Sequence, residues 1–355
     1  MIKVAFLGDI ALFADGTLEG DWKTKFQEVA DFLSGYDLVV ANLEAPITER
    51  SFTAVCKGIH LKTTEKIIDV LKMLNVKIVC LANNHMCDFG MKGLYDTVKK
   101  LDGAGIAYYG VNGRSETVKI NGEMLSFHGY CCYSANGAHY VYKKGKMGVH
   151  ALIRDNVLYD LQEDVKRNVL SVLSMHWGDE YSSLPNYRQV NFAHDLAKVN
   201  HFILHGHHTH VMQGIEQYNN SVFAYSQGNF CFDEVHSTVN RTQNIKQSAE
   251  NAESFILCVD VENDKIIRWN TTGIFNSGTR LQFIDNRDKL SKLSETIKYC
   301  EEDDYKKMSK EMIQKQKSSN LGQRDLKWFF GKLNYYSIGA KLLSYRNDRL
   351  YHNAY

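Results

Sequence analysis

Five short apolar runs in this chain each end in a group that can bind a cation. Val4–Leu7 leads to Gly8-Asp9, Leu38–Ala41 to Asn42-Leu43-Glu44, and Val76–Cys80 to Leu81-Ala82-Asn83-Asn84-His85. Val169–Met175 leads to His176-Trp177-Gly178-Asp179-Glu180, and Phe202–Leu204 to His205-Gly206-His207-His208-Thr209-His210. Such runs read as buried strands. Core packing alone does not explain why one strand after another stops on Asp, Glu, Asn-His, His and His-x-His. Strands lying side by side with their carboxyl ends around metal ions do explain it, because ligand sites in open α/β sheets lie at that edge.

The intervening segments fit this arrangement. Trp22–Ser34 carries Trp22, Phe26, Val29 and Leu33 at helical spacing and ends at Gly35. Thr64–Leu74 and Gly90–Leu101 also read as helices, the second closed by Gly103 and Gly105. Strands alternating with helices predict parallel pairing through right-handed crossovers. Asn121-Gly122 between Thr117–Ile120 and Met124–Tyr130 predicts a hairpin, and Gly137–Gly148 a surface loop. Val157–Arg167 and Tyr187–Val199 resume the helices, while Val222–Ser226, Ser254–Val261 and Lys265–Thr272 read as antiparallel strands. The expectation is two sheets packed as a sandwich with helices outside.

From about Asn286 the character changes. Residues 286–355 hold 15 Lys and Arg against 9 Asp and Glu, and read as helical. Asp325–Tyr345 carries Trp328, Phe329, Phe330, Leu333, Tyr336, Ile338 and Leu342. The expected organisation is a domain at 1–280 and a basic helical extension at 281–355. The extension would dock on the domain, on a second copy in a homodimer, on a polymer synthase, or on a membrane surface.

Composition narrows the functional classes. A net charge of +1 over 355 residues gives no reason to expect nucleic-acid binding. No apolar run approaches the roughly 20 residues that span a bilayer, and the first strand begins too early for a secretion signal. The expectation is a cytoplasmic protein, at most peripheral to the inner face of the membrane. The eight cysteines form no C-x-x-C pair, which argues against both a disulfide framework and a thiolate zinc site.

A two-metal hydrolytic site needs rigidly held oxygen and nitrogen donors and a bridging carboxylate. Asp9, Glu44, Asn84, His176, His208 and His210 supply that set. Without a thiolate, one or two ions of Mn, Fe or Zn suit it better than a soft metal. His85 is placed to give a proton to a leaving group, with Asp88 near enough to orient it. Tyr181, with Trp177 and Tyr187, is a candidate for an aromatic rim, although Trp177 is better explained by core packing. His205 precedes the glycine and reads as a support behind the ligands. His60, His128, His139, His150, His194, His201, His236 and His352 read as structural.

Six motifs occur here in one order. They are Gly8-Asp9, Asn42-Leu43-Glu44-Ala45-Pro46, Ala82-Asn83-Asn84-His85 with Asp88 and Gly90, and His176-Trp177-Gly178 with Glu180-Tyr181. Gly206-His207-His208-Thr209-His210-Val211 and Tyr225-Ser226-Gln227-Gly228-Asn229-Phe230 complete the series. Together they resemble the CapA family of bacterial poly-γ-glutamate and capsule biosynthesis proteins, which is itself similar to the calcineurin-like metallophosphoesterases. The resemblance covers residues 1 to about 275. It implies an α/β fold, a four-layer α/β/β/α sandwich of the metallophosphoesterase type, with a metal centre at the strand ends. Motif by motif it implies Asp9, Glu44, Asn84, His176, His208 and His210 as metal ligands and His85 as the residue assisting the substrate; Tyr181 and Asn229 are candidate substrate contacts. Asp9-Ile10-Ala11 stands where the wider superfamily has Asp-x-His, and Thr209 stands where these chains usually have proline.

The implied activity is a metal-dependent hydrolase acting on a phosphoester or amide of a capsule, poly-γ-glutamate or cell-wall polymer. Two alternatives stay open at this level. The same metals could serve an epimerase or lyase, or the chain could be a non-catalytic partner of a capsule polymer synthase.

Overall fold

Strand β1 (Ile2–Ala11) is buried at every residue except Lys3. A strand covered on both faces shows no alternation of apolar and polar residues, which is why its sequence reads as one apolar run. The structure is a computed structural model, and it describes the chain except residues 14, 133–139, 237–243, 246, 322–332 and 352. Parallel to β1 follow β2 (Leu38–Leu43), β3 (Val76–Cys80) and β4 (Ala107–Tyr109). Helices α1 (Trp22–Leu33), α2 (Ile67–Met73) and α3 (Gly90–Ala104) connect them. On its other side β1 pairs antiparallel with β14 (Glu253–Glu262), which continues into β15 (Lys265–Asn276) and β16 (Leu281–Ile284). The short β11 (Asn229–Phe232) adds in parallel to the last residues of β1.

The second sheet has the order β5 (Glu116–Ile120), β6 (Glu123–Cys131), β7 (Leu170–His176), β8 (Phe202–His207), β10 (Ser221–Ala224), β9 (Ile215–Tyr218). Its central strands β6, β7, β8 and β10 are parallel, with α4 (Arg154–Arg167) and α5 (Tyr187–Ala197) as crossovers. A two-stranded ribbon, β12 (Val235–His236) with β13 (Asn244–Ile245), stands apart. Between the sheets, Val4, Phe6 and Ile78 meet Phe127, Val172 and Ile203 in one core. The outer face of the second sheet packs Leu173, Met175 and Leu204 against Val157, Leu161, Val190 and Leu196 of α4 and α5. Phe26, Val29, Leu71, Leu94 and Leu101 of α1–α3 cover the first sheet. The result is the four-layer arrangement of helices, sheet, sheet and helices.

Local chemistry sets the element ends. The Asp21 side chain accepts from Thr24 N at the start of α1, and Asn186 with Gln189 forms a capping box on α5. The β5–β6 hairpin turns on Asn121 and Gly122, both at positive φ, as an Asn-Gly turn requires. The structure differs from the sequence reading at Val222–Ala224. That strand is antiparallel to β9 as expected, but it runs parallel to β8. A fully buried strand carries the same apolar run whichever way it points, so its sequence does not encode direction. The six cysteines Cys80, Cys87, Cys131, Cys132, Cys231 and Cys258 are buried and stand outside any disulfide among the described residues.

After β16 the chain is helical, as α6 (Arg287–Tyr299), α7 (Glu302–Leu321) and α8 (Tyr335–Tyr351). Tyr305 of α7 donates to Pro185 O at 2.6 Å, tying the extension to the start of α5. Of the apolar stretch Asp325–Tyr345, residues 325–332, with Trp328, Phe329 and Phe330, lie outside the described residues. Among the described residues no helix is long and apolar enough to cross a membrane.

Candidate metal centre

The parallel strands of both sheets deliver their carboxyl ends to the same place. Asp9 lies near the end of β1 and Glu44 directly follows β2. Asn84 and His85 lie in the turn after β3, and His176 and His207 are the last residues of β7 and β8. His208 and His210 follow in the next turn, and all of these side chains are buried. The donor atoms fall into three overlapping groups, each within 4.8 Å: Asp9 with His176 and His207, Glu44 with His176 and His208, and Asp9 with Glu44 and His210.

Neighbouring polar groups hold these donors in place. Asp9 Oδ1 accepts from Asn42 Nδ2 at 2.7 Å, and Oδ2 accepts from His208 N at 3.1 Å. Asn83 Oδ1 accepts from the backbone N–H groups of His85 and Met86, which shapes the turn that presents Asn84 and His85. His210 Nδ1 lies 3.0 Å from Asn229 Oδ1 and 3.9 Å from Asp9 Oδ2. Gly8 and Gly206 are required by close packing. A Cβ on Gly8 would meet Gly228 O at 2.0 Å, and one on Gly206 would meet Tyr225 O at 2.0 Å. His208 and His210 adopt φ of 99° and 60°, a left-handed backbone that costs a non-glycine residue about 1–3 kcal/mol and concentrates at functional sites.

The electrostatics fit a divalent cation. His176 Nδ1 faces His207 Nδ1 at 3.1 Å, and His176 Nε2 faces His208 Nδ1 at 3.0 Å and Asn84 Oδ1 at 3.0 Å. Both Glu44 oxygens, His207 Nε2 and His208 Nε2 are buried without a hydrogen-bond partner among the described residues. Burial, and then the neighbouring Asp9, push the Glu44 carboxyl well above its ordinary range. Burial also raises Asp9, against the pull of His210 and Asn42. Burial, then repulsion from His208 and His207, holds His176 well below the usual imidazole range; burial with His210 and His85 does the same for His208, and burial with His205 and His208 for His207. Acceptors crowded together without donors are what a hard or borderline metal ion satisfies.

Beside this cluster stands a second group. Asp88 Oδ2 lies 2.6 Å from His85 Nδ1 and accepts from Leu61 N at 2.7 Å. Lys57 Nζ donates to Asp88 Oδ1 at 3.0 Å and to Asn84 O at 2.6 Å, and lies 3.0 Å from His85 Nδ1. Burial pushes the Asp88 carboxyl up, but Lys57 and His85 outweigh it and hold it at about 2. Burial, then Lys57, draws His85 down to about 4. At neutral pH His85 is therefore neutral, its Nδ1–H donates to Asp88, and Nε2 is left for the recess that His85 lines. That recess, of about 70 Å³, is also walled by Tyr181, His210, Asn229, Phe232 and Leu61. The Tyr181 ring lies 5.8 Å from that of His210, and Asn229 Nδ2 donates to Gln247 Oε1.

The structure thus gathers Asp9, Glu44, Asn84, His176, His208 and His210 into one cluster and sets His85, Asp88, Tyr181 and Asn229 at its edge. Trp177 is buried in the core, stacked with Tyr225. His205 stands behind the cluster: Nε2–H donates to Leu7 O at 2.8 Å, so Nδ1 accepts from Ser174 Oγ at 2.9 Å. His60, His128 and His194 have structural partners in Val55 O, Asp164 and Glu216. His139 and His352 lie outside the described residues. Sequence reasoning missed His207 as a donor and missed Lys57. The histidine string carried a signal for His207. Lys57 lies in a stretch without periodicity and carried none.

Comparison with known proteins follows the same lines. The model of a family described as bacterial capsule synthesis protein PGA_cap matches residues 3–234. The chain is 32% identical over 245 residues to the PGA biosynthesis protein CapA of Bacillus subtilis, covering 66% of this chain and 64% of that protein. It is 31% identical over 222 residues to the capsule biosynthesis protein CapA of Bacillus anthracis, covering 59% and 54%. A probable polyglutamine synthesis accessory protein of Mycobacterium tuberculosis is 30% identical over 231 residues, 60% of each chain. The matches therefore span between 54% and 64% of the length of these relatives. Among solved structures, the calcineurin-like phosphoesterase YfkN of Bacillus subtilis aligns at TM-score 0.38 and 12% identity, covering 89% of this chain and 98% of that one. A 5'-nucleotidase of Candida albicans aligns at TM-score 0.45 and 12% identity, covering 90% and 57%.

Proposed function

The chain belongs to the family of bacterial capsule synthesis proteins, and from that premise we propose that it is a metal-dependent hydrolase. Its substrate would be a phosphoester or amide bond of a capsule, poly-γ-glutamate or cell-wall polymer. The observation that carries this reading is the set of buried acceptor atoms on Glu44, His207 and His208 that no donor among the described residues satisfies.

Asp9, Glu44, Asn84, His176, His208 and His210, joined by His207, are the residues that would hold one or two divalent ions of the Mn, Fe or Zn kind. Bound there, such an ion supplies an acidified water and charge stabilisation for the oxygen that leaves. The chain's own groups do the rest. Asn42 and the His208 amide fix the direction of the Asp9 carboxylate. Asp88 fixes the tautomer of His85, so that Nε2 can take up a proton and pass it to the leaving group. Lys57 keeps Asp88 ionised and anchors the Asn84 carbonyl, joining the proton-handling pair to the metal-holding turn. Tyr181 and Asn229 wall the recess in which the substrate would lie.

The test is hydrolysis of a chromogenic phosphodiester and of a γ-glutamyl oligomer by protein reconstituted with Mn²⁺. A His85→Ala variant should lose about 10²–10⁴-fold in rate, the usual share of a general acid–base, while keeping its metal. Metal-loaded protein that leaves both substrates intact, or a His85→Ala variant of unchanged rate, overturns the reading.

A further inference from the structure

Helix α8 has two unlike faces. Its inner face grips the segment that carries Lys57. Tyr336 OH donates to Thr53 O at 3.0 Å, the Tyr336 ring lies 5.5 Å from His60, and Gly339 packs so tightly on Cys56 that a Cβ would meet Sγ at 2.4 Å. Thr53 in turn donates through Oγ1 to Asp88 O at 2.7 Å. On the outer face, Ile338, Leu342 and Tyr345 recur at spacings that place them on one side of a helix. These three side chains are between 51% and 72% exposed. Lys341, Arg346 and Arg349 are exposed along the same helix.

We propose that this face of α8 docks the protein on an anionic lipid surface. An apolar stripe with lysine and arginine beside and within it, and Tyr345 among its apolar residues, matches the interfacial region of a bilayer, where aromatic rings and basic side chains both lie comfortably. A second copy is the competing occupant, and the charge pattern disfavours it. Arg349 takes the next place in the stripe, seven residues after Leu342, so a seam between copies would bury its guanidinium among apolar groups. At a membrane the same side chain meets lipid phosphate. Docking by this face leaves α8 between the bilayer and the segment around Thr53 that its inner face grips. The inference stands on the helix alone and holds whether or not the site is hydrolytic.

The experiment is co-sedimentation of the full chain with vesicles of phosphatidylcholine and with vesicles of phosphatidylcholine mixed with phosphatidylglycerol. The protein should bind the mixed vesicles and not the neutral ones, and raised salt should release it. Leu342→Glu should cut binding at least about tenfold, and each of Lys341→Gln, Arg346→Gln and Arg349→Gln about fivefold, with unchanged circular dichroism. Absence of vesicle binding overturns the proposal, as does equal binding by the Leu342→Glu variant. A dimer in sedimentation velocity that Leu342→Glu dissociates also overturns it, and assigns the face to a second copy.

Discussion

Replacing Glu44 with Gln should stabilise the metal-free protein while abolishing its response to metal. Glu44 is fully buried, its oxygens have no donor among the described residues, and Asp9 stands beside it. In the metal-free fold the carboxyl therefore keeps a proton that the unfolded chain releases above the ordinary value of 4.5. The folded state then binds more protons than the unfolded state, so stability falls as pH rises from 4.5 toward the folded-state value. Each pH unit in that window removes about 1.4 kcal/mol, a loss of up to about 3 kcal/mol by pH 7. Glutamine has nearly the same shape and no proton to lose.

The assay is urea unfolding of chelator-treated wild type and Glu44→Gln at pH 5 and at pH 7. Wild type should lose up to about 3 kcal/mol more than the variant between the two. The buried histidines titrate in both proteins, so the difference reports the carboxyl pair that Glu44 forms with Asp9. Adding Mn²⁺ at a hundred times its Kd should then stabilise wild type by about 2.7 kcal/mol and leave the variant unmoved. Equal pH slopes in the two metal-free proteins would refute the electrostatic reasoning. A full metal increment in the variant would refute the assignment of Glu44 to the centre.

Lys57→Met should lower kcat about 10–100-fold, with metal content by elemental analysis unchanged, because it removes a support and not a ligand; loss of the metal instead would make Lys57 part of the centre. Gly206→Ala should destabilise the protein by more than about 3 kcal/mol in urea unfolding, since its methyl group would have to displace the Tyr225 carbonyl. Burial, with a smaller push from His128, draws His150 down to about 4 from 6.5 while its Nε2 accepts from Gly113 N. This depressed imidazole contributes stability that is present above pH 6.5 and is lost as pH falls toward 4, up to about 3 kcal/mol. In His150→Gln, acid unfolding followed by fluorescence should lack that share, and an unchanged acid midpoint would count against it.

Much of the site was legible because a strand's end is a fixed place. Once Val4–Leu7, Leu38–Ala41 and Val169–Met175 read as buried parallel strands, Asp9, Glu44 and His176 had to emerge at one edge. The left-handed turn that lets His208 and His210 both face inward was not legible, because positive φ is uncommon for any residue other than glycine and nothing in the string marks it. Lys57 escaped notice for a different reason. Its place beside Asp88 is set by a long irregular segment held by single contacts such as Leu61 N to Asp88 and Tyr336 to Thr53. The direction of β10 is a matter of which buried neighbour it meets, and apolar composition is silent on that.

The division of the centre between two sheets bears on how the molecule is made. A ribosome delivers Asp9, Glu44 and Asn84 well before it delivers His176 and the histidines after β8. Until those arrive, the first sheet holds two carboxylates at its rim with no imidazole facing them, so water must stay there and the sandwich cannot shut. A cation joining Asp9 to His176 and His207 would act as a clasp between an early half and a late half of the chain. Starved of metal, newly made protein should linger with its two halves ajar along that seam, and proteases should cut it there first.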